Sequence, residues 1–291
     1  MCRLYAFLAN EPTKVECSLV YAQNALLQQS RADQTGRAHA DGWGIVCYDE
    51  DDRWGIPSTV KHHQAAFEEP HFSRSAEKIY SKSVVAHVRL GTVGNVSTLN
   101  AHPFTYDEWT FAHNGTIPAF DSVRQSMSRA MSEHHRNCRL GTTDSELFFL
   151  WLLSKLEAND LNSQNIAEQE DKARSVLIEA IASLAEDCHA RDPDEPAKLN
   201  FVLTNGKLLF ACRWNNSLHQ LVRQGVYDCE VCGIPHIHHN PSVDHRAVVI
   251  ASEPISGEAW HEIPNYSLTY VSPNLTSVVD EIPHNNLAGS Q

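Results

Sequence analysis

Residues 1–7 read MCRLYAF, a cysteine directly behind the initiator methionine and leading into an apolar run of strand type. Cys2 is small enough for the usual trimming of Met1. Trimming would make it the first residue, with a thiol and a free α-amine on one carbon. A small buried residue opening an edge strand would read the same way, because free cysteine is among the most buried residue types. Which of the two readings holds decides the fold and the chemistry together, and the rest of the chain must choose.

Outward from this stretch the pattern alternates between strands and helices. CRLYAFLA (2–9) and WGIVCYD (43–49) read as strands, and LVYAQNALLQQS (19–30) carries apolar residues at helical spacing. SVVAHVRL (83–90) and WTFAHNG (109–115) are short apolar runs closing on polar or glycine positions, as strands do before a loop. TTDSELFFLWLLSKL (142–156) opens with a capping box, Thr143 to Glu146, and continues as a buried helix. Residues 170–190 form a second long amphipathic helix. LNFVLTNGKLLFACRW (199–214) reads as two strands around Asn205-Gly206, a strong hairpin signal. Two late strands follow at 245–254 and 266–273. Helices and antiparallel pairs mixed along the whole length predict an α+β layered domain, not a doubly wound parallel sheet. One domain is expected over residues 1–280, with a loose tail over 281–291.

Composition narrows the function. In 291 residues, 42% hydrophobic and 20% charged, there is room for a sizeable core of ordinary soluble type. A formal net charge of −13 speaks against a nucleic-acid-binding surface. No apolar run approaches the roughly 18 residues of a membrane span, and no signal peptide is visible. Eight dispersed cysteines fit a reducing cytoplasm better than a disulfide scaffold.

Four stretches place polar residues where packing alone would not. In HADGWGI (39–45), glycines around Trp43 allow tight turns beside a ligand, or simply before a strand. In HVRLGTVGNVSTLNAHPF (87–104), Arg89 ends an apolar strand and could grip a carboxylate bidentately or make a surface salt bridge. FAHNGTI (111–117) offers an amide side chain next to a glycine N–H, the material of an oxyanion hole, or a type I′ turn at Asn114-Gly115. GTTDSEL (141–147) puts Asp144 in the first turn of a helix, where capping alone could explain it.

Taken together and in this order, with MC at the start, DGWG at 41–44, RLGTVG at 89–94, NAHPF at 100–104, HNG at 113–115 and TDSE at 143–146, the sequence resembles the class II glutamine amidotransferases. That resemblance implies a four-layer αββα sandwich of the N-terminal nucleophile hydrolase type. It also implies Cys2 as the nucleophile, with Asn114 and Gly115 stabilising the oxyanion. Arg89 would then hold the α-carboxylate of a glutamyl group and Asp144 its α-ammonium. Thr92 would support the carboxylate site, and Trp43, Gly44 and His102 would complete the substrate pocket. The implied reaction is cleavage of the γ-amide of glutamine, or of a γ-glutamyl conjugate, through a Cys2 thioester. It needs no cofactor.

The chain departs from the product-building members of that family. The part after Glu146 reads as later layers of the same sandwich and holds no GxxxxGK[ST] phosphate loop. A short, stand-alone enzyme is therefore expected, acting on a small-molecule γ-glutamyl substrate. The alternatives are a glutaminase subunit docked on a synthetase or hydrolase partner, and an inactive scaffold. One stretch has no place in this chemistry. YDCEVCGIPHIHHNPSVDH (227–245) contains Cys229, Cys232, His236 and His238, residue types that bind zinc, although a polar histidine-containing loop reads alike. At most a structural zinc is expected there.

Overall fold

A computed structural model describes residues 2–33, 35–48, 55–68, 70–226, 228–237 and 244–284. The first half runs β1 (Arg3–Lys14), a π-helical turn (Cys17–Tyr21), α1 (Leu26–Arg31), β2 (Trp43–Cys47) and β3 (Ser58–His62). It continues with α2 (His71–Lys78), β4 (Tyr80–Val88), β5 (Phe104–Tyr106), β6 (Trp109–Thr116), α3 (Phe120–Arg129) and α4 (Glu133–Asn137). Then come α5 (Asp144–Glu157), α6 (Glu170–Arg191), β7 (Lys198–Thr204), β8 (Leu209–Arg213) and β9 (His219–Gln224). The chain closes with β10 (Arg246–Ala251), β11 (His261–Glu262), β12 (Ser267–Val271) and β13 (Ser277–Glu281).

The strands form two antiparallel sheets. One has seven strands in the order β11-β9-β10-β1-β4-β2-β3, the other six in the order β13-β12-β8-β7-β6-β5. Strand alternation sorts side chains between layers. On β1, Leu4, Ala6 and Leu8 join Val85, Ala112, Val202, Val248 and Ile250 in a core between the sheets. Tyr5, Phe7 and Ala9 point the other way, under the π-helical turn, α1 and α2. The second sheet buries its far face, including Phe111, Phe201 and Phe210, against α3, α5 and α6. Helix, sheet, sheet, helix: the four-layer sandwich is realised.

This parity sets up the site. Cys2 precedes Leu4 by two residues, Asn114 follows Ala112 by two, and Ser252 follows Ile250 by two. Each therefore continues the inter-sheet row at one end of the core, where the apolar side chains give way to polar ones.

Local expectations differ from the structure in four places. The helix expected over 19–30 is split into the π-helical turn and α1, with Ala22 and Ala25 extended. Asn24, in the break, donates from Nδ2 to Glu253 Oε2 and the Pro254 carbonyl, contacts that a continuous helix would not offer. Thr143 Oγ1 caps α5 by accepting the Glu146 N–H at 3.1 Å, but the Glu146 carboxylate reaches back to the Leu140 and Gly141 amides rather than to Thr143. Only Gly206 of the Asn205-Gly206 pair has positive φ, and Asn205 Oδ1 instead accepts the Lys207 and Leu208 amides, closing a longer loop. The folded body also runs past the expected boundary at 281: Ile282 is buried in the core and His284 stacks on Tyr266 at 4.1 Å. Residues 285–291 of the expected tail lie outside the described residues.

Candidate active site

Asn114 and Gly115 lie inside β6, paired with Asn200 and Leu199 of β7, so HNG is strand and not a turn. The Asn114 carbonyl accepts from Asn216 Nδ2 at 2.7 Å, and its own Nδ2 donates to Ser252 Oγ at 3.2 Å. Ser252 Oγ also accepts the Leu4 N–H at 3.0 Å, so one hydroxyl ties the amide to the strand that starts at the nucleophile candidate. A primary amide has two N–H donors, of which this contact uses one. Gly115 is required by space: a Cβ there would sit 1.8 Å from the Lys198 carbonyl oxygen.

Cys2 is buried, and its thiol meets the Leu90 backbone on both sides, donating to the carbonyl at 3.4 Å and accepting the N–H at 3.3 Å. Burial pushes this thiol up, and the Asp144 carboxylate adds to the push; the Leu90 N–H and the Arg89 guanidinium oppose it. A protonated resting thiol is the consequence, one that needs a base before it can attack.

Arg89 and Asp144, both buried, therefore act on the same sulfur with opposite signs. Arg89 reaches the carbonyls of Asp41, Val93 and Gly94, so residues 89–94 curl around its guanidinium. Asp144 accepts the Ile117 N–H at 3.0 Å and the Ser145 N–H at 2.9 Å at the start of α5. Among the described residues neither Arg89 nor Asp144 forms an ion pair within 4.0 Å, although the Asp144 carboxylate also acts at longer range on Arg139. A buried cation and a buried anion left without ion-pair partners are costly unless a ligand completes them.

Three supports behind these groups went unassigned in the sequence. Asn100, in NAHPF, donates to the Asn95 backbone and side chain and to Thr142 Oγ1, and accepts the Thr142 N–H at 2.8 Å. It locks the Arg89 loop to the turn that presents Asp144. His113 faces α5; burial keeps its imidazole neutral. Its Nε2 donates to the Lys198 carbonyl at 3.1 Å, which leaves Nδ1 to accept the Ser145 hydroxyl at 2.9 Å. Arg3 binds the Cys2 carbonyl at 3.0 Å and pairs with Asp33 at 3.0 Å and Glu253 at 2.6 Å, all three buried. Burial works to raise the Asp33 carboxyl, but Thr35, the Arg37 amide and Arg3 together hold it well below the usual range. The signal for this network was a charged residue in an apolar strand beside Cys2.

Not every expected residue joins the group. Thr92 is exposed at the rim, its hydroxyl 3.2 Å from that of Thr116. Trp43 is fully buried in the helix-facing core, stacked on His62 at 4.8 Å and edge-on to Phe72, so it does not line a pocket at Cys2. Gly44 serves packing: a Cβ would meet the His102 carbonyl oxygen at 2.4 Å. His102 is buried and stacks on His87 at 4.2 Å, within the body rather than at its mouth. Sequence patterns mark such residues as special without saying which face they take.

The family model of the class II glutamine amidotransferases matches residues 1–285. The chain belongs to this family. Among its relatives, YafJ of Escherichia coli, named as a glutamine amidotransferase, is 31% identical over 278 residues, covering 90% of this chain and 94% of that one. The γ-glutamyl-hercynylcysteine sulfoxide hydrolase of Mycolicibacterium smegmatis is 24% identical over 275 residues, covering 93% and 96%. In three dimensions this amidotransferase resembles a class II glutamine aminotransferase domain protein from Silicibacter pomeroyi, with a TM-score of 0.62 at 20% identity over 97% and 99% of the two chains. The sandwich is thus the N-terminal nucleophile hydrolase fold. No helix among the described residues of this amidotransferase is long and apolar enough to cross a membrane.

Proposed function

We propose that this amidotransferase hydrolyses γ-glutamyl amide bonds, in glutamine or in a small γ-glutamyl conjugate, with Cys2 as nucleophile. One observation carries the reading: Arg89 and Asp144, buried and without ion pairs of their own among the described residues, both bear on the Cys2 thiol. They match the α-carboxylate and α-ammonium of a glutamyl group. Removal of Met1 frees the Cys2 α-amine, whose reference pKa of about 8 suits it to take the thiol proton, directly or through one water. The thiolate attacks the γ-carbonyl carbon. The second Asn114 N–H and the Gly115 N–H hold the oxyanion, a donor of this kind being worth about 2.7–4 kcal/mol. Collapse breaks the C–N bond, and the leaving amine takes the proton from the α-ammonium. Water then opens the thioester, releasing glutamate and the thiol. The hydrolase relative named for a γ-glutamyl substrate supports a conjugate over free glutamine.

Glutamate release by the chain alone, with Met1 confirmed absent by mass, tests the proposal on glutamine and on γ-glutamyl peptides in parallel. Turnover of a γ-glutamyl peptide is the expected result. Turnover only after a synthetase subunit is added would instead make it a docked ammonia supplier, and no turnover under any condition would leave a scaffold. Arg89→Lys is expected to raise KM about ten- to a hundredfold. A point charge cannot copy the planar fork, and a charge-assisted contact is worth about 1.5–3 kcal/mol. Steady-state kinetics with near wild-type KM would remove Arg89 from the carboxylate site.

A further inference from the structure

Past the end of β1 opposite Cys2, three cysteines and a histidine converge. The donor atoms of Cys17, Cys229, Cys232 and His236 all lie within 4.8 Å of one another, with Cys232 Sγ 3.2 Å from His236 Nε2. None of the three cysteines is in a disulfide. We propose that these four residues form a structural zinc site that fastens the segment 228–237 to the turn after β1. His238 of the expected ligand set lies outside the described residues, and Cys17, which the sequence did not suggest, supplies the fourth ligand.

The chemistry and the geometry agree. Zinc at about 2.3 Å from sulfur and 2.0–2.1 Å from nitrogen, in a tetrahedron, sets its ligand atoms about 3.5–3.8 Å apart. The present spacing closes onto such an ion with small side-chain movements. Three thiolates and an imidazole favour zinc over the hard cations, which seek oxygen. Four protein ligands leave no open position, so the site is structural and not catalytic.

The backbone is already shaped for this. Val231 N–H points at Cys229 Sγ at 3.4 Å, a contact that favours the thiolate. The turn is closed by Gly233 N–H on the Cys229 carbonyl at 2.8 Å and by Cys229 N–H on the Ile234 carbonyl at 3.1 Å. Gly233 has φ +70°, which the residue after the second cysteine needs for the chain to fold back. On the other side, the Lys14 N–H donates to the His236 carbonyl at 2.9 Å and Thr13 bridges Ile237, which sets His236 beside Cys17. A cavity of about 440 Å³, bordered by Cys17, Cys229 and His236, gives an ion a way in. The site shares no residue with the Cys2 centre.

The test is elemental analysis of tag-free protein from zinc-replete culture, wild type beside Cys17→Ser and Cys229→Ser. About one zinc per chain is expected in the wild type and less than about a tenth in each variant, since structural sites bind tightly and lose the ion with a ligand. Because a variant could fail to fold, cobalt is also titrated into the metal-stripped wild-type chain. Tetrahedral d–d bands with thiolate charge transfer are expected, together with a melting midpoint at least about 5 °C above that of the stripped chain. Three results would each overturn the proposal. They are wild type with less than a tenth of an equivalent and no cobalt spectrum, a chain lighter by two protons with a disulfide among these cysteines, and full zinc retained in Cys17→Ser.

Discussion

Cys2→Ser is expected to lower glutamate release at least about a thousandfold, roughly 4 kcal/mol of lost transition-state stabilisation, while leaving the fold intact. Among the described residues the thiol's hydrogen bonds are to the Leu90 backbone, a donor and an acceptor that a hydroxyl can also serve, so structure should survive the exchange. Reactivity should not. Burial already pushes the Cys2 thiol up, and a hydroxyl in the same place is far harder to deprotonate by an amine of reference pKa about 8. Retaining Met1, or adding an N-terminal tag, keeps the thiol but removes the base, and should be nearly as damaging. Cys47→Ser changes a residue on β2, outside the group around Cys2, and turnover there should be largely unchanged. The check is kcat/KM for the three forms side by side, with circular dichroism to show that each is folded. A Cys2→Ser chain within tenfold of wild type would remove the nucleophile assignment.

Lowering the pH from 7.5 to 5.5 is expected to remove about 4 kcal/mol of folding stability. The cause is a set of buried histidines. Burial, aided by the nearby Arg3 charge, lowers His39 to about 4. Burial also holds His87 and His102, stacked on each other, well below the usual range. His113 is lowered in the same sense. The sign follows from proton counting. Between the folded values and about 6.5, the unfolded chain binds protons that the folded chain refuses, so stability falls as pH falls through that window. A histidine held neutral across this interval refuses up to one proton that the unfolded chain binds, and His39, His87 and His102 together account for a loss on the order of 4 kcal/mol. Asp33, held low, keeps its charge throughout the window and does not offset the loss. Release of a bound metal at low pH would act in the same direction, so urea titrations at both pH values belong on the metal-stripped wild-type chain. A loss below about 1 kcal/mol would mean that these imidazoles are not held neutral by burial.

Local chemistry was legible in the sequence where a residue's role follows from its place in a periodic pattern. The apolar run after Cys2 reads as a buried strand and is one, although Leu4, Ala6 and Leu8 on one face and Tyr5, Phe7 and Ala9 on the other are equally apolar, so only the fold shows which row faces the second sheet. Thr143 caps α5, which puts Asp144 at the helix start. Roles that depend on distant partners were not legible. Cys17 sits among Leu19 and Val20 and is indistinguishable by pattern from a core cysteine until the fold brings Cys229 beside it. Arg3 occupies a strand position that reads as a breach of the apolar pattern; Asp33 and Glu253, from two other segments, help to hold it there. Trp43 misled for the opposite reason: flanking glycines suggested a ligand, but Gly44 is small because the His102 carbonyl approaches it, and Trp43 turns toward α2.

The most direct measurement is intact-mass spectrometry after exposure to a glutamine-like electrophile that alkylates thiols, followed by peptide mapping. The account expects a single adduct, on a chain lacking Met1, located at Cys2, with activity lost in step with labelling and with labelling suppressed in Arg89→Lys. An adduct confined to another of the eight cysteines, or full activity in a chain whose N-terminus is blocked, would contradict it.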